Sequence, residues 1–160
     1  MIRLLVTGGT FDKEYDELHG TLFFRNTHVT DMLRLGRNGV PAFVQVLMMT
    51  DSLDMTAGDR KTIVDACLDA PESQIVVTHG TDTMVETAAV LDGIAGKTII
   101  LTGALNPARF RGSDAEFNIG TAVGAVQSLP EGVYIAMNGR VWDPRKVRKN
   151  VAANRFEAIG

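Results

Sequence analysis

Residues 74–83 read Gln-Ile-Val-Val-Thr-His-Gly-Thr-Asp-Thr, an apolar, β-branched run followed at once by glycine, hydroxyl and carboxyl residues. The same order occurs at residues 2–10, which read Ile-Arg-Leu-Leu-Val-Thr-Gly-Gly-Thr. A short apolar run that stops at glycine is typical of a buried parallel strand and the turn after it. Met84, Ala88 and Leu91 then recur at helical spacing, so a helix follows the first stretch.

This alternation of apolar runs and helical periodicity continues outward along the whole chain. It predicts a single domain over residues 1–160 of the α/β class, with a doubly wound, mostly parallel sheet and helices on both faces. Such a flavodoxin-like or Rossmann-like fold is a three-layer sandwich. The predicted strands are 2–6, 42–49, 74–78, 98–102 and 133–137 with a short return strand at 140–142, and the predicted helices are 30–37, 57–70, 82–94 and 114–129.

Three local features refine this prediction. Thr56 and Asp59 have the spacing of a capping box, which opens the second helix. Residues 11–26 are mixed and charged and are predicted to form a long loop. The polar segment after Pro144 is predicted to wrap the sheet edge or an interface.

The composition is that of an ordinary globular protein, 45% hydrophobic and 22% charged with a net charge of −3. No concentrated basic face is present, which argues against a nucleic-acid partner. No apolar stretch approaches the roughly 20 residues of a membrane span, and the first apolar run is too short for a signal peptide. We therefore expect a cytoplasmic protein without a membrane partner.

The single cysteine, Cys67, lies in an apolar helical pattern and is expected to be buried.

Polar clusters follow four of the predicted strands. In open α/β sheets ligands bind beyond the carboxyl ends of the strands, so these clusters are expected to share one edge of the sheet. Structural alternatives remain open: Thr81 and Asp82 suit a helix N-cap, His79 suits a packed histidine, and Lys149 belongs to a cationic run typical of a solvated face. The clusters are Thr7-Gly8-Gly9-Thr10, Thr50-Asp51-Ser52, Thr78 to Thr83, and Thr102-Gly103-Ala104.

Several kinds of site are disfavoured by the motifs. The first glycine cluster lacks the third glycine of a dinucleotide fingerprint, and no phosphate-binding P-loop occurs. The histidines do not pair at metal-ligand spacing, and no nucleophile elbow is present. We expect no cofactor and no metal, which leaves hydroxyl chemistry supported by carboxylate and ammonium groups.

The combination of Thr-Gly-Gly-Thr at residues 7–10 with His-Gly-Thr-Asp-Thr at residues 79–83 resembles the bacterial-type L-asparaginase family. The segments at 102–107, 114–118 and 137–149 are similar to further motifs of that family. The resemblance implies a hydrolase that cleaves the side-chain amide of asparagine through a threonine nucleophile and an acyl-enzyme. It also implies that this chain corresponds to the N-terminal domain alone, without the family's C-terminal domain.

The resemblance carries residue roles with it. Thr10 would be the nucleophile and Tyr15 the tyrosine that activates it, while Thr81, Asp82 and Lys149 would form a second cluster that moves a proton. Ser52 would hold the α-carboxylate of the substrate, and Asp82 its α-ammonium. Backbone N–H groups at Gly9, Thr10 and Thr81 are expected to stabilise the oxyanion. The substrate-binding set is Gly9, Asp51, Ser52, Gly80, Thr81, Asp82 and Ala104.

One residue departs from the family pattern. Leu53 stands where relatives carry a glutamine that touches the substrate, and losing such a hydrogen bond costs on the order of 1 kcal/mol. Two alternatives therefore stay open: a hydrolase of another small amide, such as glutamine or an N-substituted amide, and a non-catalytic protein that only binds an amino acid. A homodimer or homotetramer is expected in each case, because a small domain with an open site gains enclosure by pairing.

Overall fold

The computed structural model describes residues 1–160. The chain runs β1 (Ile2–Gly8), β2 (Lys13–Asp16), β3 (Thr21–Phe24), α1 (Val29–Leu35), β4 (Ala42–Thr50), α2 (Ala57–Asp69), β5 (Gln74–Thr78), α3 (Met84–Leu91), β6 (Thr98–Thr102), α4 (Ala115–Ser128), β7 (Gly132–Met137), β8 (Arg140–Trp142), β9 (Val147–Asn150) and β10 (Arg155–Ala158). All five predicted main strands and the short return strand are present. The four predicted helices are also present, with ends that differ by a few residues.

Six strands form the central sheet, in the order β4-β1-β5-β6-β7-β8. All neighbours are parallel except β8, which returns antiparallel to β7. If the β2–β3 hairpin and β8 are set aside, this is the 2-1-3-4-5 order of flavodoxin-like folds. In that order the connections change side between β1 and β5, so the ligand site is expected where the loops after these two strands meet.

Helices cover both faces of the sheet, which confirms the predicted architecture. One core cluster joins α2 and α3 to the sheet, with Ile63, Cys67 and Leu91 fully buried. The other joins α1 and α4, through residues such as Met32 and Ile119. Cys67 is buried as expected, and burial raises the pKa of its thiol to about 12. At the start of α2, Thr56 and Asp59 make both hydrogen bonds of the predicted capping box.

Two segments each contain a β-hairpin that the sequence did not predict, and only residues 11–26 were expected to be a loop. Within residues 11–26, β2 pairs with β3, and the Asp16 carboxylate accepts hydrogen bonds from the Leu18 and His19 N–H groups at 2.9 and 3.3 Å. These bonds shape the turn, whereas the charged composition alone indicated a loop. After Pro144, β9 pairs with β10. No helix of the protein combines the length and hydropathy that a membrane crossing requires.

Candidate active site

Glycines bring three strand ends into direct contact. A Cβ on Gly9, whose φ is +74°, would lie 2.4 Å from the Gly80 nitrogen, and a Cβ on Gly80 would lie 2.6 Å from the Ser52 side chain. The loops after β1, β5 and β4 therefore touch at positions where no side chain fits. Because Thr10 and Thr81 each follow one of these glycines, the two hydroxyl-bearing segments meet at the predicted switch point. We call this edge, formed by residues 9–10, 51–53 and 80–82, the rim.

Lys149 completes a cluster at the rim with Thr81 and Asp82. Its Nζ atom lies 2.5 Å from Thr81 Oγ1 and 2.9 Å from Asp82 Oδ1. The lysine side chain is only 8% exposed, so it is not part of a solvated cationic face. Lys149 lies on β9, and the β9–β10 hairpin is anchored by the buried side chains of Val147 and Phe156. The structure thus joins residues 68 positions apart in the sequence.

Thr81 and Asp82 do not cap a helix. Helix α3 begins at Met84, and its N-cap residue is Thr83, which makes no side-chain capping bond. The Thr83 hydroxyl instead donates to the Ser52 carbonyl oxygen at 2.8 Å. The Thr81 hydroxyl and the Asp82 carboxylate are consequently free to interact with Lys149.

His79 is buried behind the rim and holds the backbone there. Its Nδ1–H donates to the Gly80 carbonyl oxygen at 2.7 Å, which leaves Nε2 to accept from the Thr87 hydroxyl at 2.8 Å. Arg60 Nε donates to the same Thr87 oxygen at 3.1 Å. Burial lowers the pKa of His79 to about 4, so the imidazole is neutral near pH 7. His79 is therefore the packed histidine of the structural alternative, and Arg60 and Thr87 are supporting residues that the sequence reasoning missed.

No hydrogen bond joins Tyr15 to Thr10. Thr10 is half-buried in a short 3-10 turn, and its hydroxyl makes no hydrogen bond within the chain. Tyr15 lies on β2 and is 57% exposed. Its hydroxyl oxygen lies toward the hairpin turn, 3.9 Å from where a Cβ on Gly20 would be.

Three other predicted residues have different surroundings from those expected. Ala104 is 1% exposed and packs in the core, so it does not line the rim. The Gly9 N–H donates to the Thr50 carbonyl oxygen at 2.9 Å and is not available for an oxyanion. Partial burial alone would raise the pKa of Asp51, but the Lys13 ammonium, which contacts the carboxylate, and the Leu53 N–H together hold it below its ordinary value.

The motif at residues 114–118 supports the loop after β6. The Asp114 carboxylate accepts hydrogen bonds from the N–H groups of Leu105 and Asn106, and Asn118 donates to the Gly103 carbonyl oxygen at 2.8 Å. Burial alone would raise the pKa of Asp114, but these donors hold it below its ordinary value. This motif therefore shapes the loop and supplies no group to the rim.

Ser52 and Thr81 at the rim are nearly buried, at 2% and 5% exposure. The four main cavities of the protein lie elsewhere, and none is lined by Thr10, Ser52, Thr81 or Lys149. Leu53 at the rim is 71% exposed. No group of three histidine, cysteine or acidic residues is placed to hold a metal ion. The chemistry available at the rim is that of hydroxyl groups, carboxylates and ammonium groups, from Thr10, Ser52, Thr81, Asp51, Asp82, Lys13 and Lys149.

Comparison with known proteins identifies the family. Residues 1–160 match the family model described as asparaginase, N-terminal. A probable periplasmic L-asparaginase of Haemophilus influenzae is 42% identical over 79 residues, which cover 46% of this chain and 23% of that protein. The L-asparaginase 2 of Escherichia coli is 40% identical over 79 residues, which likewise cover 46% of this chain and 23% of that protein.

The fold is similar to that of solved asparaginases. The thermostable L-asparaginase of Thermococcus kodakarensis superposes with a TM-score of 0.80 at 26% identity, covering 99% of this chain and 51% of that one. This chain thus spans about half the length, or less, of the relatives that it matches. Because the family model matches residues 1–160, the chain belongs to the asparaginase family.

Proposed function

We propose that the protein hydrolyses the side-chain amide of L-asparagine to L-aspartate and ammonia, with Thr10 as the nucleophile. The observation that carries the proposal is the Lys149–Thr81–Asp82 cluster, placed beside the Thr10 segment by the contact between Gly9 and Gly80. A threonine hydroxyl is a poor nucleophile unless a neighbouring group takes its proton, and this cluster is arranged for proton transfer.

The proposed reaction has two stages. Thr10 Oγ attacks the amide carbon, and its proton passes through the Thr81–Lys149 cluster to the amide nitrogen. The carbon–nitrogen bond then breaks, ammonia leaves, and an acyl-enzyme ester remains on Thr10. Water then attacks the ester carbon and releases aspartate. Because Lys149 donates to the Thr81 oxygen, the Thr81 hydroxyl hydrogen can point toward the reacting amide. The Thr81 N–H has no acceptor within the chain and remains a candidate oxyanion donor.

Tyr15 remains part of the proposal, as the residue that assists Thr10. In the structure it is exposed, so this role requires the β2–β3 hairpin to move inward when substrate binds.

We also propose a homodimer or homotetramer in the cytoplasm. The exposed apolar side chains of Leu53 and Tyr15 support pairing, since a second copy placed there would exclude water from the rim. Light scattering over a range of protein concentrations tests the assembly.

Ammonia release from asparagine tests the activity. Thr10→Ala and Thr81→Ala are each expected to lower kcat by more than about a thousandfold, as the loss of a reacting group does. Thr62→Ala is the matched control, because Thr62 is exposed on α2, away from the rim. Wild-type turnover in Thr10→Ala would rule out the proposed nucleophile.

A second candidate is hydrolysis of a different small amide, such as glutamine or an N-substituted amide. It is favoured by Leu53, whose exposed side chain offers no hydrogen bond to a substrate at the rim. A panel of amides compared by kcat/KM distinguishes the candidates. Tight aspartate binding without turnover of any amide would instead indicate a non-catalytic amino-acid-binding protein.

A further inference from the structure

The segment directly after Thr10 is attached to the rest of the protein at three successive residues. Phe11 is fully buried in the core. Asp12 is also fully buried, and its Oδ1 atom accepts hydrogen bonds from the Thr27 hydroxyl at 3.0 Å and the His28 N–H at 2.8 Å. Lys13 reaches across the rim to Asp51. Phe11 and Asp12 hold the segment against the interior of the protein. Lys13 is the residue of the segment that contacts the loop after β4.

Lys13 is coupled directly to the turn that carries Thr10. The Lys13 N–H donates to the Thr10 carbonyl oxygen and closes the 3-10 turn. Its side chain is 17% exposed and its ammonium contacts Asp51 Oδ2, while the other Asp51 oxygen accepts from the Leu53 N–H at 3.1 Å. Asp51 immediately precedes Ser52. This ion pair is therefore the side-chain link between the Thr10 turn and the loop that carries Ser52, in addition to the backbone hydrogen bond from the Gly9 N–H to the Thr50 carbonyl oxygen.

We propose that the Lys13–Asp51 ion pair is a latch that sets the distance between Thr10 and Ser52 and thereby selects the chain length of the amide substrate. The inference rests on the proposed function, in which Thr10 attacks the side-chain carbonyl and Ser52 holds the α-carboxylate. In asparagine one methylene group separates the α-carbon from the reacting amide, and in glutamine two do. A latch that fixes the two ends of the site therefore favours one of these spacings. Lys13 and Asp51 are positioning residues, since they act on the substrate through Thr10 and Ser52.

The pair has an electrostatic role as well. An unpaired Asp51 carboxylate next to Ser52 would repel the α-carboxylate of a bound substrate, and the Lys13 ammonium cancels that charge. The two halves of the pair are consequently not equivalent. Lys13→Met breaks the latch and leaves the Asp51 charge uncompensated, whereas Asp51→Asn breaks the latch without leaving a negative charge at the rim.

The first test is amide hydrogen exchange of residues 10–16 in the free protein. Lys13→Met and Asp51→Asn are each expected to raise exchange by about tenfold, as local opening becomes easier. Lys13→Arg is expected to retain slow exchange. Lys61→Met is the control, since Lys61 forms an ion pair with Asp65 on α2, away from the rim. Unchanged exchange in Lys13→Met would overturn the latch, whether or not the protein hydrolyses asparagine.

The second test is kinetic. Both latch variants are expected to lower kcat for asparagine by about tenfold through misplacement of Thr10, and to narrow the ratio of kcat/KM between asparagine and glutamine. KM is expected to rise in Lys13→Met and to stay near the wild-type value in Asp51→Asn. Faster exchange with an unchanged asparagine-to-glutamine ratio would overturn the role in substrate selection. Wild-type turnover in Thr10→Ala would show that Thr10 is not the nucleophile. If hydrogen exchange were still faster in the latch variants, the ion pair would hold the segment even though the proposed nucleophile was wrong.

Discussion

The two halves of the proposed site differ in how completely the folded chain assembles them. Thr81, Asp82 and Lys149 are joined by contacts of 2.5 and 2.9 Å, whereas the Thr10 hydroxyl has no partner and Tyr15 is 57% exposed. The difference lies in the two hairpins: β9–β10 inserts buried side chains into the core, but every residue of β2 and β3 is at least partly exposed. The proton-handling half is thus pre-organised, and in the proposed function the nucleophilic half is completed when its hairpin moves inward.

The largest effect is expected from removing the group that joins the pre-organised half. Lys149→Met retains an apolar stem but loses the ammonium, so kcat for asparagine should fall by about a thousandfold, within the range for loss of an acid–base group. Steady-state ammonia release measures this. Lys146→Met is the matched control, because Lys146 belongs to the same cationic run but is exposed. Equal losses of kcat in both variants would show that the cationic run acts only through its positive charge.

The next effect concerns His79, whose burial supports the same half. Its folded-state pKa of about 4 is below the ordinary value of 6.5, so the unfolded chain binds a proton more readily. Stability from the neutral imidazole is therefore fully present above pH 6.5 and is lost as the pH falls toward 4, by up to roughly 3 kcal/mol. Urea unfolding at pH 7 and pH 4.5 measures the loss. In His79→Gln the loss of stability between pH 7 and pH 4.5 should be smaller than in wild type. An equal pH dependence of stability in the two proteins would show that His79 is not its source.

A third change acts on the contact between the halves. Gly80→Ala places a Cβ 2.6 Å from the Ser52 side chain, so the free energy of unfolding should fall by about 1–3 kcal/mol through overpacking. Gly124→Ala is the control, because the added Cβ on helix α4 meets no atom within 4 Å apart from its chain neighbours and the helix's own backbone. This control should be more stable than wild type by about 0.5–1 kcal/mol. Urea unfolding measures the free energy of unfolding of both variants. An unchanged value in Gly80→Ala would show that the rim can relax around the added Cβ.

The smallest effect is expected in the half that is not pre-assembled. Tyr15→Phe should lower kcat by about tenfold, which corresponds to roughly 1.4 kcal/mol. Because the side chain is exposed, the free energy of unfolding should change by less than about 0.5 kcal/mol. Tyr134→Phe, which alters the other tyrosine of the chain, is the control for both measurements. Unchanged kcat in Tyr15→Phe would mean that the hairpin does not bring Tyr15 to Thr10.

The sheet and the positions of Thr81 and Asp82 were predictable because their signals are local, whereas the role of Lys149, 68 positions from Thr81, came only from the family resemblance. The β-branched run at 74–78 indicates a strand, and the polar residues directly after it must lie at the carboxyl end of the sheet. The β2–β3 hairpin was missed because its turn depends on side-chain bonds from Asp16, which composition does not reveal. The Lys13–Asp51 pair was missed because it joins residues 38 positions apart through tertiary packing. Ala104 was misplaced for a related reason, since motif position does not specify which way a residue faces.

The placement of Lys149 on β9 has a consequence for how the protein would lose activity. A two-stranded hairpin is marginally stable by itself, and β9–β10 depends on the packing of Val147 and Phe156. Detaching that hairpin costs less free energy than melting the six-stranded sheet, so mild heating or low denaturant would open it first. The proposed enzyme would then be switched off while most of its secondary structure persists, and cooling would restore it without complete refolding.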